Sequence, residues 1–391
     1  MRCVWEFAIF AAQNNLIAMI IREITKTVTN DYGKGKIIVV KGPRQVGKTT
    51  FLDQLIDQGK KVLRFNGDDY DDADKLTHRT STELRQMISG YDMVIVDEAQ
   101  RIPDIGLTLK ILADLKMDIQ VIVTGSSSLD LANKINEPAT GRLYEHFLFP
   151  LSTREMVGFS DQRTEQRLLE TRMIYGFYPE VVTKPREAKR LLSNITNSYL
   201  YRDLLGYKGV KKPLVLQKLV KALALQIGSE VSYNELANLI GVDRGTVESY
   251  IYLLEQCYVI FHLDSYTNNQ RNEIKKGRKV YFYDIGVRNA LVNMFSPMSM
   301  RQDVGAIWEN FAIVERIKKL SNEQRLVNFY FWRSLTQQEV DLIEEEDGQI
   351  RSYEFKWNPA KKAKQPSGFA EKYPETPFEV VTPENYMAFV L

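Results

Sequence analysis

A short stretch, Gly42-Pro43-Arg44-Gln45-Val46-Gly47-Lys48-Thr49-Thr50, combines glycines, a lysine and adjacent hydroxyls at a spacing suited to binding phosphate. Gly42 and Gly47 let the backbone curl so that its N–H groups face phosphate oxygens. Lys48 can then reach the β- and γ-phosphates, and the Thr49 hydroxyl can ligate Mg²⁺. Further along, Asp97 and Glu98 close the apolar run Met93-Val94-Ile95-Val96. Asp97 can hold Mg²⁺ through its water shell, and Glu98 can polarise a water for attack on the γ-phosphate. The run Val121-Ile122-Val123-Thr124 leads into Gly125-Ser126-Ser127-Ser128. Ser126 can sense the γ-phosphate there, although turn chemistry explains Gly-Ser-Ser equally well. Arg142, in Thr140-Gly141-Arg142, is the candidate for an arginine reading the γ-phosphate, either in cis or from a neighbouring copy, with Arg154 as runner-up. ATP with Mg²⁺ is the ligand this set calls for.

A second set lies near the carboxyl end. Glu339-Val340-Asp341-Leu342-Ile343 and Tyr353-Glu354-Phe355-Lys356-Trp357 read as strands joined by a turn at Asp347-Gly348. Side chains alternate along a strand, so Glu354 and Lys356 share a face. The Asp341…Glu354-x-Lys356 order resembles that of restriction-endonuclease-like folds, and Glu309 resembles their additional helix-borne acid. The resemblance implies that Glu309, Asp341 and Glu354 bind Mg²⁺ and that Lys356 orients or deprotonates the attacking water. Catalytically dead versions kept for DNA binding or scaffolding are the alternative.

These residues need elements to carry them. The phosphate loop must follow a strand, Ile37–Val40, and open a helix beginning at Lys48, whose positive end adds to the site. Further strands are expected at Val62–Asn66, Met93–Val96 and Ile119–Thr124. Strands alternating with helices imply a parallel sheet covered on both faces, with Asp97 opening onto the same crevice as the loop. The acidic run Asp68–Asp74 reads as a solvated loop. Helices over 162–175 and 186–205 suggest a lid, and Lys208–Pro213 a linker.

Beyond it, Ser232-Tyr233-Asn234-Glu235 reads as a capping box, Gly241-Val242-Asp243 as a tight turn, and Val247, Ile251 and Leu254 as the buried stripe of a second helix. That is a helix-turn-helix pattern. Arg244, Thr246, Ser249 and Tyr250 fall outside the stripe and face a groove or a protein partner. Tyr258–Leu263 and Lys279–Tyr283 can pair as a wing. The basic residues Arg271, Lys275, Lys276, Arg278 and Lys279 can add phosphate contacts to double-stranded DNA.

At 391 residues the chain needs more than one core. We expect an α/β protein with an N-terminal extension (1–18), a P-loop ATPase core (19–150), a helical lid (151–210), a winged helix-turn-helix (211–285) and a C-terminal α/β nuclease-like domain (300–391). Net charge is +2, so charge alone does not announce a nucleic-acid binder. Cys3 and Cys257 are the only cysteines, which argues against a disulfide framework and for the cytoplasm. Glu6, Gln13, Asn14 and Asn15 interrupt the first residues, so no membrane span is expected. A coherent helix is expected to begin at Met19.

Taken in order, Gly-Pro-Arg-Gln-Val-Gly-Lys-Thr-Thr, Val-Asp-Glu-Ala-Gln, Thr-Gly-Ser-Ser-Ser and Thr-Gly-Arg resemble the AAA-type ATPase core of a prokaryotic family. In that family the core precedes a winged helix and a C-terminal restriction-endonuclease-like domain of unknown function. The similarity runs from about residue 19 to the end. It implies an ATPase that couples nucleotide state to DNA contact. The alternative is a regulatory ATP-binding scaffold gating a protein–protein contact. A homo-oligomer follows if an arginine is supplied in trans. Asp97-Glu98-Ala99-Gln100 also resembles helicase boxes, but no second motor core follows.

Overall fold

The computed structural model describes residues 19–126, 141–200, 210, 212–267 and 277–391. The 1–18 extension, Ser127, Ser128, Thr140, most of the expected linker, and Arg271, Lys275 and Lys276 lie outside the described residues.

The first unit carries α1 (Thr25–Thr29), β1 (Ile37–Lys41), α2 (Lys48–Gln54), β2 (Val62–Asn66), α3 (Tyr70–Leu76), α4 (Ser81–Ile88), β3 (Met93–Asp97), α5 (Ile105–Asp114), β4 (Gln120–Gly125) and β5 (Leu143–Phe147). The strands form one parallel sheet in the order β2-β3-β4-β1-β5. Its middle strands are apolar along their centres because both faces are covered. Alternation divides each strand between two cores. Ile38, Val40, Ile95 and Ile122 pack on one face; Ile37, Val39, Val94, Val96, Val121 and Val123 pack on the other.

Several expectations need correction. The helix expected from Met19 starts at Thr25, because Arg22 turns its side chain inward and its backbone N–H is held by Gln54. The acidic run is not a loop. The Asp69 carboxylate accepts from the N–H groups of Asp71 and Asp72 and starts α3, with further acids favoured in its first turn. The edge strand β5 was not expected, since Leu-Tyr-Glu-His-Phe lacks an apolar run.

Next come α6 (Thr153–Phe159), α7 (Gln162–Tyr175), α8 (Pro179–Thr183) and α9 (Ala188–Asn194), the last running on as a π-helical stretch over Ile195–Leu200. Then follow α10 (Pro213–Leu225), β6 (Glu230–Val231), α11 (Tyr233–Ile240), α12 (Arg244–Gln256), β7 (Ile260–Ser265), β8 (Arg278–Phe282) and α13 (Ile285–Leu291). Ser232 caps α11 through the N–H of Glu235, and Asp243 caps α12 through that of Thr246. Gly241 between them takes φ +75°, the left-handed turn that a side chain disfavours. Tyr250 is buried rather than exposed, and its hydroxyl accepts from the N–H of Lys212.

The last unit has α14 (Val304–Asn322), β9 (Asn328–Arg333), β10 (Glu339–Glu346), β11 (Gln349–Phe355), α15 (Ser367–Lys372), β12 (Phe378–Val381) and α16 (Tyr386–Val390). Its strands do not form a separate sheet. β7 pairs with β9 in parallel, giving a seven-stranded sheet in the order β12-β11-β10-β9-β7-β8-β6. One apolar core runs from Ile38 and Val40 through the middle helices to Trp308, Leu342 and Tyr386. Among the described residues, no helix is long and apolar enough to cross a membrane.

Candidate functional site

The loop between β1 and α2 is fixed by close packing. A Cβ on Gly42 would come within 2.2 Å of the Leu148 carbonyl oxygen, so only glycine fits there. Gly47 takes φ +88° immediately before α2. Val46 is buried, and its carbonyl accepts from Nη1 of Arg22 at 3.0 Å. Lys48 is also buried; its Nζ donates to the carbonyls of Gly42 (3.1 Å) and Pro43 (3.0 Å), so the ammonium lies inside the curl of its own loop.

Thr49 and Thr50 are exposed at the start of α2. The Thr49 hydroxyl donates to Oδ2 of Asp97 at 2.7 Å. Asp97 ends β3, and its other oxygen accepts from the Thr124 hydroxyl on β4. The Glu98 N–H donates to Oγ1 of Thr124 at 3.2 Å. Glu98 has φ +49°, a backbone region uncommon for a residue with a side chain and often found at functional sites. Nε2 of Gln100 donates to Oε2 of Glu98 at 2.5 Å and to Oγ of Ser126 at 3.0 Å. A polar chain thus joins Thr49, Asp97, Thr124, Glu98, Gln100 and Ser126 at the carboxyl ends of β1, β3 and β4. The Thr49 hydroxyl and the Asp97 carboxylate are hard oxygen donors side by side, which fits Mg²⁺.

Arg142 is not part of this group. It precedes β5 at the amino end of the sheet, where its carbonyl accepts from the N–H of Ile37 at 3.0 Å. Its guanidinium pairs with Asp114 at 2.7 Å. The length of β1, about 13 Å for four residue steps, separates it from the phosphate loop. A cis role on this loop is therefore ruled out. Arg154 pairs with Glu23 at 3.1 Å and Glu323 at 3.0 Å.

Arg22 was missed. It is buried and donates to Val46, to Phe149 (2.6 Å) and to Oε1 of Glu155 (2.8 Å). Nothing in its neighbourhood marked it, because its partners lie 24 to 133 residues away. The segment it clamps also meets α14. The Thr153 N–H donates to Oε2 of Glu315, and Lys318 donates to the Leu151 carbonyl at 2.8 Å and to Oε1 of Glu315 at 2.6 Å.

The other end of α14 carries Glu309 into the second set. Glu309, Asp341, Glu354 and Lys356 come together as expected. Oδ2 of Asp341 accepts from the N–H of Phe355 at 2.9 Å, and Lys356 pairs with Glu354. Burial, followed by the charges of Glu309 and Glu354, pushes the Asp341 carboxyl well above the usual carboxylate range, with Lys279 pulling it back. Lys279 was expected to contact DNA phosphate, yet it is 3% exposed. Its Nζ lies 3.1 Å from Oε1 of Glu309 and also pairs with Glu339. Among the described residues, no group of three His, Cys, Asp or Glu side chains is arranged to hold a metal ion. Ammonium groups stand against these acids, Lys279 against Glu309 and Lys356 against Glu354. Arg278 is likewise engaged, with Asp264 at 3.1 Å and the Tyr233 hydroxyl at 3.1 Å.

Comparison with known proteins divides the chain three ways. A family model described as an AAA domain matches residues 34–157, and models described as domains of unknown function match 166–298 (DUF8612) and 304–387 (DUF4143). An uncharacterized protein of Mycobacterium tuberculosis, Rv2008c, is 27% identical over 329 residues, covering 83% of this chain and 70% of its own. An uncharacterized protein of Haemophilus influenzae is 24% identical over 276 residues, covering 64% of this chain and 68% of its own. The Walker-type ATPase PABY2304 of Pyrococcus abyssi superposes with a TM-score of 0.50 at 14% identity, covering 70% of this chain and 96% of that one. The amino-terminal unit thus matches an AAA domain model and has the fold of a Walker-type ATPase.

Proposed function

We propose that the protein binds and hydrolyses Mg²⁺-ATP at the Gly42–Thr50 loop and passes the nucleotide state to its carboxyl-terminal half. The observation that carries this reading is the polar chain from Thr49 to Ser126. Backbone N–H groups of residues 44–49 and the Lys48 ammonium hold the phosphates, and Lys48 exchanges the Gly42 and Pro43 carbonyls for phosphate oxygens. Thr49 and Asp97 would hold Mg²⁺, which would neutralise charge developing on the phosphates. Glu98 orients water and accepts its proton on Oε1, while Gln100 fixes Oε2. Ser126 stands behind Gln100, where it reports on the γ-phosphate position. Arg142 remains available for a neighbouring copy only.

Transmission runs through the segment 149–155. Arg22 joins the phosphate loop to Glu155, and Thr153 and Leu151 join the same segment to Glu315 and Lys318 on α14. A shift of Val46 on nucleotide binding thus bears on the helix that carries Glu309.

We read residues 213–282 as a winged helix, with α12 as its outward helix and β7–β8 as its hairpin. Its exposed face offers Arg244, Thr246 and Ser249 to duplex DNA. Another observation favours a protein partner instead. Arg244 is paired with Glu248 at 2.8 Å, and Leu214, Leu225, Leu239 and Tyr252 are exposed by 72%, 59%, 67% and 55% on the same helices. Steady-state Mg²⁺-ATP hydrolysis with and without duplex DNA, blanked by Lys48→Ala, separates the two. Stimulation by duplex supports DNA contact; hydrolysis indifferent to duplex supports the protein-gating reading. Equal rates in wild type and Lys48→Ala would refute the ATPase assignment.

A further inference from the structure

We propose that Lys279 is the resident cation of the Glu309–Asp341–Glu354 cluster, an internal ammonium group occupying the role a divalent metal would otherwise take. This assignment is independent of the nucleotide reading. Lys279 comes from β8, outside the unit that supplies the acids; it pairs with Glu309, and its charge acts on Asp341, because β8 and β10 belong to one sheet.

The Lys279 ammonium is satisfied from several sides. It donates to Oε1 of Glu309 at 3.1 Å, pairs with Glu339, and lies 5.6 Å from the centre of the Phe331 ring. Tyr281, two residues on and on the same strand face, donates its hydroxyl to that same Oε1 at 2.6 Å. One carboxylate oxygen of Glu309 on α14 therefore already accepts two hydrogen bonds. Oδ2 of Asp341 accepts the Phe355 N–H, and Glu354 is engaged by Lys356.

A divalent ion entering here would sit beside a buried ammonium, where burial weakens the screening of their repulsion. A lysine in this position balances carboxylates that would otherwise be buried unpaired, as a metal would. It lacks the charge density to lower the pKa of a bound water to near neutrality, which is what metal-assisted hydrolysis requires. The cluster thus works as a buried electrostatic joint between β8 and α14 rather than as a hydrolytic centre.

The test is Mn²⁺ binding to the full chain without nucleotide, followed by electron paramagnetic resonance. Wild type, Asp341→Asn, Lys279→Met and the Lys279→Met/Asp341→Asn double variant are compared. Wild type and Asp341→Asn should bind Mn²⁺ alike. Lys279→Met, with the ammonium gone, should gain an equivalent of bound ion that the double variant loses. The assignment is overturned if wild type binds an ion that Asp341→Asn loses, or if folded Lys279→Met gains none. Should Lys279→Met fail to fold, the comparison of wild type with Asp341→Asn decides. ATP hydrolysis measured on the same samples separates a failed nucleotide site from a failed cation assignment.

Discussion

The Thr49 hydroxyl donates to Oδ2 of Asp97 at 2.7 Å, although β1, which precedes Thr49, and β3, which ends in Asp97, are separated by β4 in the sheet. Residues 48 positions apart are brought within one hydrogen bond because β1 and β3 run parallel and end at the same edge. Asp97→Asn keeps the shape and removes the charge. Mg²⁺-ATP turnover should fall about 10–100-fold, with circular dichroism unchanged. Turnover within twofold of wild type would remove Asp97 from the metal shell.

Gln100 holds Glu98 from behind and touches no substrate in the proposed arrangement, so it acts through position. Gln100→Leu should lower kcat roughly 10-fold, the worth of one hydrogen bond to a charged group, and leave KM for ATP nearly unchanged. A rise in KM with kcat preserved would assign Gln100 to binding instead.

Glu315 and Lys318 form a pair whose side chains are 2% and 1% exposed, between α14 and the segment after β5. Glu315→Ala leaves the Lys318 ammonium and the Thr153 N–H buried without this partner. The expected cost is about 3–5 kcal/mol, seen as a lower urea midpoint by intrinsic fluorescence. An unchanged midpoint would mean that the two halves are joined elsewhere.

His262, on β7, contacts Glu255 and lies 3.5 Å from Asp264. Burial alone would lower its pKa. Hydrogen bonds and charge from Asp264 and Glu255 outweigh that and raise it to about 9. The folded value lies above the unfolded one, so the stabilisation is complete below about pH 6.5 and is lost as pH rises through 9. Between pH 6 and pH 10 wild type should lose roughly 3 kcal/mol more stability than His262→Gln, by the usual conversion of a pKa shift. Parallel pH profiles for the two proteins would contradict this.

What was legible in the sequence was whatever is written locally. The strand at 62–66 and the helix at 162–175 have the expected bounds, because apolar periodicity and caps are short-range signals. The placement of Asp97 and of the Gly42–Thr50 loop was legible for the same reason: each sits at a strand end marked by its own neighbours. Arg22 and Lys279 were not, since each acquires its role from partners distant in sequence or from a sheet shared between units. The position of Arg142 was not legible either. Its Thr-Gly-Arg motif carries no information on which end of the sheet it occupies, and the pairing of Ile37 with Leu143 decides that.

The most direct test is single-turnover hydrolysis of Mg²⁺-ATP by wild type and Glu98→Gln, with nucleotide affinity measured on both. Glu98→Gln should bind ATP as tightly as wild type and hydrolyse it at least about 100-fold more slowly, because the base at the end of β3 is gone while the phosphate loop is intact. Hydrolysis by Glu98→Gln at the wild-type rate, with Lys48→Ala inactive, would contradict the assignment of the chemistry to Glu98.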